Sequence, residues 1–132
     1  MNKQACYEAC SLVKNEVRTR DGIGTLGEKT VHAVLKRYYE PVADRHEIQV
    51  GGYVADIVGE TGIIEIQTRQ FERLRRKLDA FLPVCPVTVV YPIAHTKWLY
   101  WMDPNTGEMS NKRKSPKTGS PLEAFFELYK VK

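Results

Sequence analysis

Two carboxylates, Asp56 and Glu65, each stand alone inside a short apolar run of the stretch YVADIVGETGIIEIQT, residues 53–68. A charge inside a buried strand costs free energy unless something compensates it. With Glu60 and Thr61 as a two-residue hairpin loop, 59 faces 62, 58 faces 63, and further inward Asp56 faces Glu65 on the same side of the sheet. Their Cβ atoms would then lie about 5 Å apart, where like charges repel. The side-chain period of two puts Gln67 on that face as well, one step beyond Glu65. Three arrangements relieve such a pair. One proton can be shared, which raises one pKa. An Arg or Lys can pair with both groups. A divalent cation can bind, since Mg²⁺ takes one or two carboxylates and completes its shell with waters and a substrate phosphate. The cation accounts for the most features: two acids, neighbouring strands, and basic helices around them.

The elements that must position this pair follow from periodicity and breakers. Residues 3–18 place Ala5, Cys6, Ala9, Cys10, Leu12, Val13 and Val17 at helical spacing, until TRDGIGTLG breaks the pattern. A second helix runs over 28–40 with Val31, Leu35 and Tyr38 or Tyr39 on its apolar side, and Pro41 ends it. Strands are predicted at 46–50, 53–58 and 62–68. An amphipathic helix over 69–82 follows, with Phe71, Leu74, Leu78 and Phe81 inward and Arg69, Arg73, Arg75, Arg76 and Lys77 outward. The continuous apolar run 86–92 reads as a strand buried on both faces. Another strand spans 95–103, with DPNTGE as its turn. The basic stretch NKRKSPK, 111–117, reads as a loop leading into a last helix, opened by the capping box of Ser120 and Glu123 with Pro121 at the first position. A strand, a crossover helix and a second strand imply a parallel pair. The class is therefore α/β or mixed α+β, in one domain over 1–132 with its core at 28–91.

Composition excludes several classes. A chain of 132 residues that is 42% hydrophobic is long enough for one real core. No run of about 18 apolar residues could span a membrane. The start, MNKQACYEAC, lacks the apolar segment of a signal peptide. Cys6, Cys10 and Cys85 are odd in number and sit among apolar neighbours, which fits free thiols in a reducing, cytoplasmic setting. His32, His46 and His95 are too scattered for structural zinc. GIGTLG, 22–27, has the spacing of a dinucleotide-binding turn but follows VRTRD rather than a buried strand. It reads as a flexible loop.

A helix with an acidic residue, three strands bearing Asp56 and Glu65-x-Gln67, then a helix and a strand resemble the core of the PD-(D/E)XK nuclease superfamily. The resemblance runs from Glu28 to about Tyr91, roughly half the chain. It implies a restriction-endonuclease-like core in which Asp56, Glu65 and the Ile66 carbonyl hold Mg²⁺ or Mn²⁺. Glu28 resembles the additional acid of resolvase-like and exonuclease-like branches, although with Thr25 it also forms a capping-box pattern. His32, one turn after Glu28, either faces the site or packs. Gln67 occupies the place of the usual Lys and would orient the attacking water, but it brings no positive charge. Lys36 or Arg69 would have to supply that charge.

Arg69, Arg73 and Arg76 on the helix, and Lys112, Arg113, Lys114 and Lys117 in the basic stretch, are the candidate phosphate contacts. DNA is the implied partner, and a homodimer is the assembly that resolvase-like branches suggest. Two functions follow. One is metal-dependent hydrolysis of DNA phosphodiesters. The alternative is a nuclease-fold module without hydrolysis, binding nucleic acid or a protein partner, with Gln67 as the trace of that loss.

Overall fold

A two-residue turn with both residues at positive φ, Gly51 (56°) and Gly52 (82°), folds β1 (His46–Val50) back on β2 (Tyr53–Gly59). Glycine tolerates that geometry without steric cost. The computed structural model describes residues 1–17 and 26–131, and the side chains of 1–15 and 29–131. Strand β3 (Gly62–Ile66) pairs antiparallel with β2 in the register Gly59↔Gly62, Val58↔Ile63 and Ile57↔Ile64. This is the register that the two-residue loop dictates. A crossover through the 3₁₀ turn Phe71–Leu74 and helix α3 (Arg75–Phe81) returns the chain to β4 (Val87–Val90), parallel to β3. The result is a mixed four-stranded sheet in the order β1-β2-β3-β4, in a mixed α+β fold. Gly62 sits against the Pro86 carbonyl at φ 129°, where a Cβ would collide with that oxygen. Its missing side chain lets Ile63 N–H donate to the Pro86 carbonyl at 2.9 Å and opens the parallel ladder.

Helix α1 (Lys3–Val17) lies against α2 (Leu26–Tyr39) and buries Ala9 and Val13. From α2, Leu35 packs on Ile57 and Ile66. From α3, Phe81 packs on Ala55 and Ile63. Ala55 and Ile57 are two apart in one strand yet belong to different clusters. The inward–outward alternation of β2 is therefore broken at Asp56.

Several expectations are corrected. Strand β4 is an edge strand with Thr88 exposed, so it is not buried on both faces. The 69–82 helix is shorter and begins as a 3₁₀ turn. Phe71, Leu74 and Phe81 are buried as expected, and Leu78 half-buried. Val31 is exposed on α2. The third strand stops at Ile66, and the one predicted at 95–103 is regular only over β5 (Thr96–Leu99).

The basic stretch read as a loop is a strand, β6 (Arg113–Thr118), paired antiparallel with β5 in a separate two-stranded sheet. Its lysines and Pro116 disguised it, and such residues suit the exposed edges of a small sheet. Helix α4 (Glu123–Tyr129) follows, with Ser120 N–H donating to Glu123 Oε1 at 3.4 Å. Residues 22–25 of the glycine-rich segment, Thr25 of its capping pattern, and the Glu28 side chain lie outside what is described.

Candidate functional site

Where the regular pairing of β2 with β3 ends, side chains take over from the backbone ladder. Asp56 N–H donates to Glu65 Oε1 at 2.9 Å, and Ile66 N–H donates to Asp56 Oδ2 at 2.8 Å. The two carboxylates thus stand on adjacent strands just past the last paired residues, Ile57 and Ile64, and not as the directly opposed pair on one face that the loop length predicts. Each satisfies a backbone amide of the other strand, which a buried amide requires. Glu65 is 1% exposed, the one buried charged side chain among the described residues.

Each carboxylate then has its own partner, and the partners come from opposite layers. His32 of α2 places Nε2 3.1 Å from Asp56 Oδ2. Lys77 of α3 places Nζ 2.9 Å from Glu65 Oε2. Counting across the Gly51–Gly52 turn in the β1–β2 register puts Glu47 opposite Asp56, so three acids form a row across the sheet. Glu47 has φ 55°, a left-handed conformation rare for a non-glycine residue inside a strand. Its carboxylate accepts from Lys36 Nζ at 2.8 Å.

Environment pushes the central pair apart. Burial drives the Asp56 carboxyl up, but the His32 ring, the Ile66 amide and Lys77 together outweigh it and leave the pKa below its ordinary value. Burial drives Glu65 up too. There the Lys77 ammonium and the Asp56 amide do not overcome burial together with the Asp56 charge, and the pKa stays raised. Glu47 is held low, first by its hydrogen bond to Lys36. Two neighbouring carboxyls with pKa values displaced in opposite directions form the pattern that separates acid and base roles in catalytic sites.

The remaining candidates divide. The Gln67 amide nitrogen is turned toward the segment after β3, donating to the carbonyls of Arg69 and Gln70. Lys36 is committed to Glu47. Arg69, together with Lys29, His32, Lys36, Glu47 and Thr68, lines a cleft of about 520 Å³ beside the carboxylates. Neither Asp56 nor Glu65 lines it directly, and His32 connects the two places. Arg73 and Arg76 lie exposed on the crossover segment, away from that lining. Lys112, Arg113, Lys114 and Lys117 sit on the β5–β6 hairpin. Among the described residues no three His, Cys, Asp or Glu side chains stand together as a metal-binding group.

Sequence reasoning missed two residues of this constellation. The amphipathic pattern places Lys77 on the outward face of its helix, yet it turns back to the most buried acid. Glu47 could have been found by the same counting that paired Asp56 with Glu65, applied to the preceding turn.

Residues 29–132 match a family described as a domain of unknown function, DUF8091. The chain belongs to the DUF8091 family. The whole sheet, both central carboxylates, Lys77 and the hairpin fall inside that span, while α1 precedes it. An uncharacterized protein of Treponema pallidum (strain Nichols) is 37% identical over 109 residues, covering 82% of this chain and 41% of the relative. The chain therefore spans less than half the length of that relative. No solved structure matches it.

Proposed function

We propose that this domain has a restriction-endonuclease-like core of the PD-(D/E)XK type and hydrolyses DNA phosphodiesters with the help of a divalent cation. The observation that supports this most is the Asp56–Glu65 pair, held on adjacent strands just ahead of the crossover helix, beside a cleft lined by Lys29, Lys36 and Arg69. Two hard carboxylate oxygens from neighbouring strands suit Mg²⁺ or Mn²⁺. A cation already stands at Glu65 in the form of the Lys77 ammonium. The donor set therefore fits a divalent ion that takes over that charge. Asp56 and Glu65 would hold it, and when bound it supplies a water of lowered pKa and neutralises charge on the scissile phosphate.

The chain's own residues do the rest. Lys77, released from Glu65, is the positive group that Gln67 does not provide. His32 orients Asp56 through its Oδ2. Lys29 and Arg69 bind the phosphates flanking the scissile one, an affinity that is salt-dependent and independent of sequence. Glu28 is the additional acid of the resemblance, and its side chain lies outside the described residues. Incubating supercoiled plasmid and single-stranded circles with Mg²⁺ or Mn²⁺ tests the reading. Nicking or linearisation by the wild type is expected, with loss of at least a hundredfold in Asp56→Ala.

One observation favours a second reading. Both Glu65 oxygens are engaged, by Lys77 and by the Asp56 amide, and the group is almost fully buried. A domain in which Lys77 permanently replaces the metal would bind nucleic acid or a protein partner without cutting. The plasmid assay separates the two, because that module would leave both substrates intact at any metal concentration.

A further inference from the structure

The β5–β6 hairpin exposes large aromatics next to positive charge. Trp98 is 53% exposed, Tyr100 52% and Trp101 85%. Trp98 pairs across the ladder with Lys114, and the Lys112 ammonium lies 5.5 Å from the centre of the Trp98 ring. Residues 96–118 hold five basic side chains (Lys97, Lys112, Arg113, Lys114, Lys117) against two acidic ones (Asp103, Glu108). Three of the chain's four net positive charges thus sit on this hairpin. A soluble surface does not expose indole rings at this density without a use for them.

The hairpin is also joined to the carboxylate region. Lys97, Ser115 and Lys117 line a second cavity of about 310 Å³ whose wall includes Thr68. Thr68 equally lines the cleft of His32, Lys36 and Arg69. Thr68 and the cavity of Lys97 and Lys117 thus join the cleft to the hairpin.

From this juxtaposition we infer that the hairpin is a stacking arm for single-stranded nucleic acid, with bases on Trp98 and Trp101 and phosphates on Lys112 and Lys114. Charge decides among occupants. A second copy laid on this face would set basic residues against basic residues, whereas a polyanion neutralises them. The apolar planes select unpaired bases, because in a duplex those faces are already stacked and out of reach. The inference names the substrate class for the neighbouring cleft, and to that extent it rests on the function proposed above.

Trp98 and Trp101 are the only tryptophans of the chain, so indole fluorescence reports on this hairpin alone. The experiment titrates the full chain with a twelve-nucleotide oligothymidine in EDTA, where neither metal binding nor cleavage contributes. Saturable quenching is expected, with affinity at least about tenfold above that for a duplex of equal length. Trp101→Ala should bind roughly tenfold more weakly. Lys112→Ala combined with Lys114→Ala, both on exposed positions, should make the slope of log affinity against log salt shallower by about 1.4.

Three outcomes would overturn the inference: equal affinity for duplex, quenching by anionic vesicles but not by the oligonucleotide, or a concentration-dependent spectral shift without any nucleic acid, the mark of self-association. Because the titration contains no metal, a negative result here leaves the carboxylate reading standing. A positive result survives even if no cleavage is found.

Discussion

The carboxylate row and the β5–β6 hairpin handle costly groups in opposite ways. In the sheet, every acid of the row is answered whatever its exposure: Glu47, largely exposed, by Lys36, Asp56, mostly buried, by His32, and Glu65, fully buried, by Lys77. In the hairpin, apolar rings are exposed, and Trp101 is 85% accessible among the described residues. Under the proposed function, the first region would have to be opened to act, since a metal would have to displace a lysine, and the second would receive the nucleic acid. The chemistry and the capture of substrate would then be separated between the two.

The largest effect that sharpens this contrast lies under the sheet. Phe81 is 0% exposed and packs on Ala55 and Ile63. Phe81→Ala should cost about 3–5 kcal/mol in denaturant unfolding. A smaller loss is expected at the row itself. Asp56→Ala deprives the buried Ile66 amide of its acceptor, so about 1–3 kcal/mol should disappear in the same measurement.

The pH dependence of stability should carry two opposing contributions. Asp56 is held below its ordinary 3.8, so its contribution is present above that value and fades as pH falls through the lower folded one. Glu65 is held above its ordinary 4.5, so the folded state keeps that proton more tightly than the unfolded chain does. Its contribution is greatest below 4.5 and declines as pH rises through the folded value. Unfolding of Glu65→Gln between pH 3 and 7 should therefore lack the decline, while Asp56→Ala should lack the acid loss. If the two variants gave parallel curves, the opposed environments assigned to the pair would be wrong.

The smallest effect belongs to the hairpin. Trp101→Ala should change stability by no more than about 0.5 kcal/mol. A loss of several kcal/mol would mean that the ring is packed and not displayed.

Much of the central sheet was legible because it obeys short-range rules. A two-residue loop fixes register, so the pairing of Ile57 with Ile64 and the nearness of Asp56 and Glu65 on adjacent strands could be read from residue numbers, while the break in alternation at Asp56 could not. The crossover and the parallel β4 followed from the order of elements. Lys77 was not legible, because a lysine on an amphipathic helix looks the same whether it points to water or back toward a buried acid. That choice depends on how the crossover docks, which is tertiary information. Strand β6 escaped because its sequence, RKSPKT, carries none of the apolar alternation that marks a half-buried strand. It pairs at a sheet with water on its surfaces, where β-propensity says little. The irregularity between Thr96 and Trp98 in its ladder is likewise invisible to a counting rule.

The central claim is that Asp56 and Glu65 form a divalent-cation site that Lys77 occupies in the metal-free protein. Calorimetry of Mn²⁺ binding, in the presence of a short non-cleavable DNA, tests it most directly by comparing the wild type with Asp56→Ala. Heat of binding in the wild type that vanishes in the variant is the predicted result. A folded wild-type protein that takes up no Mn²⁺ would contradict the claim and leave a nucleic-acid-binding module in its place.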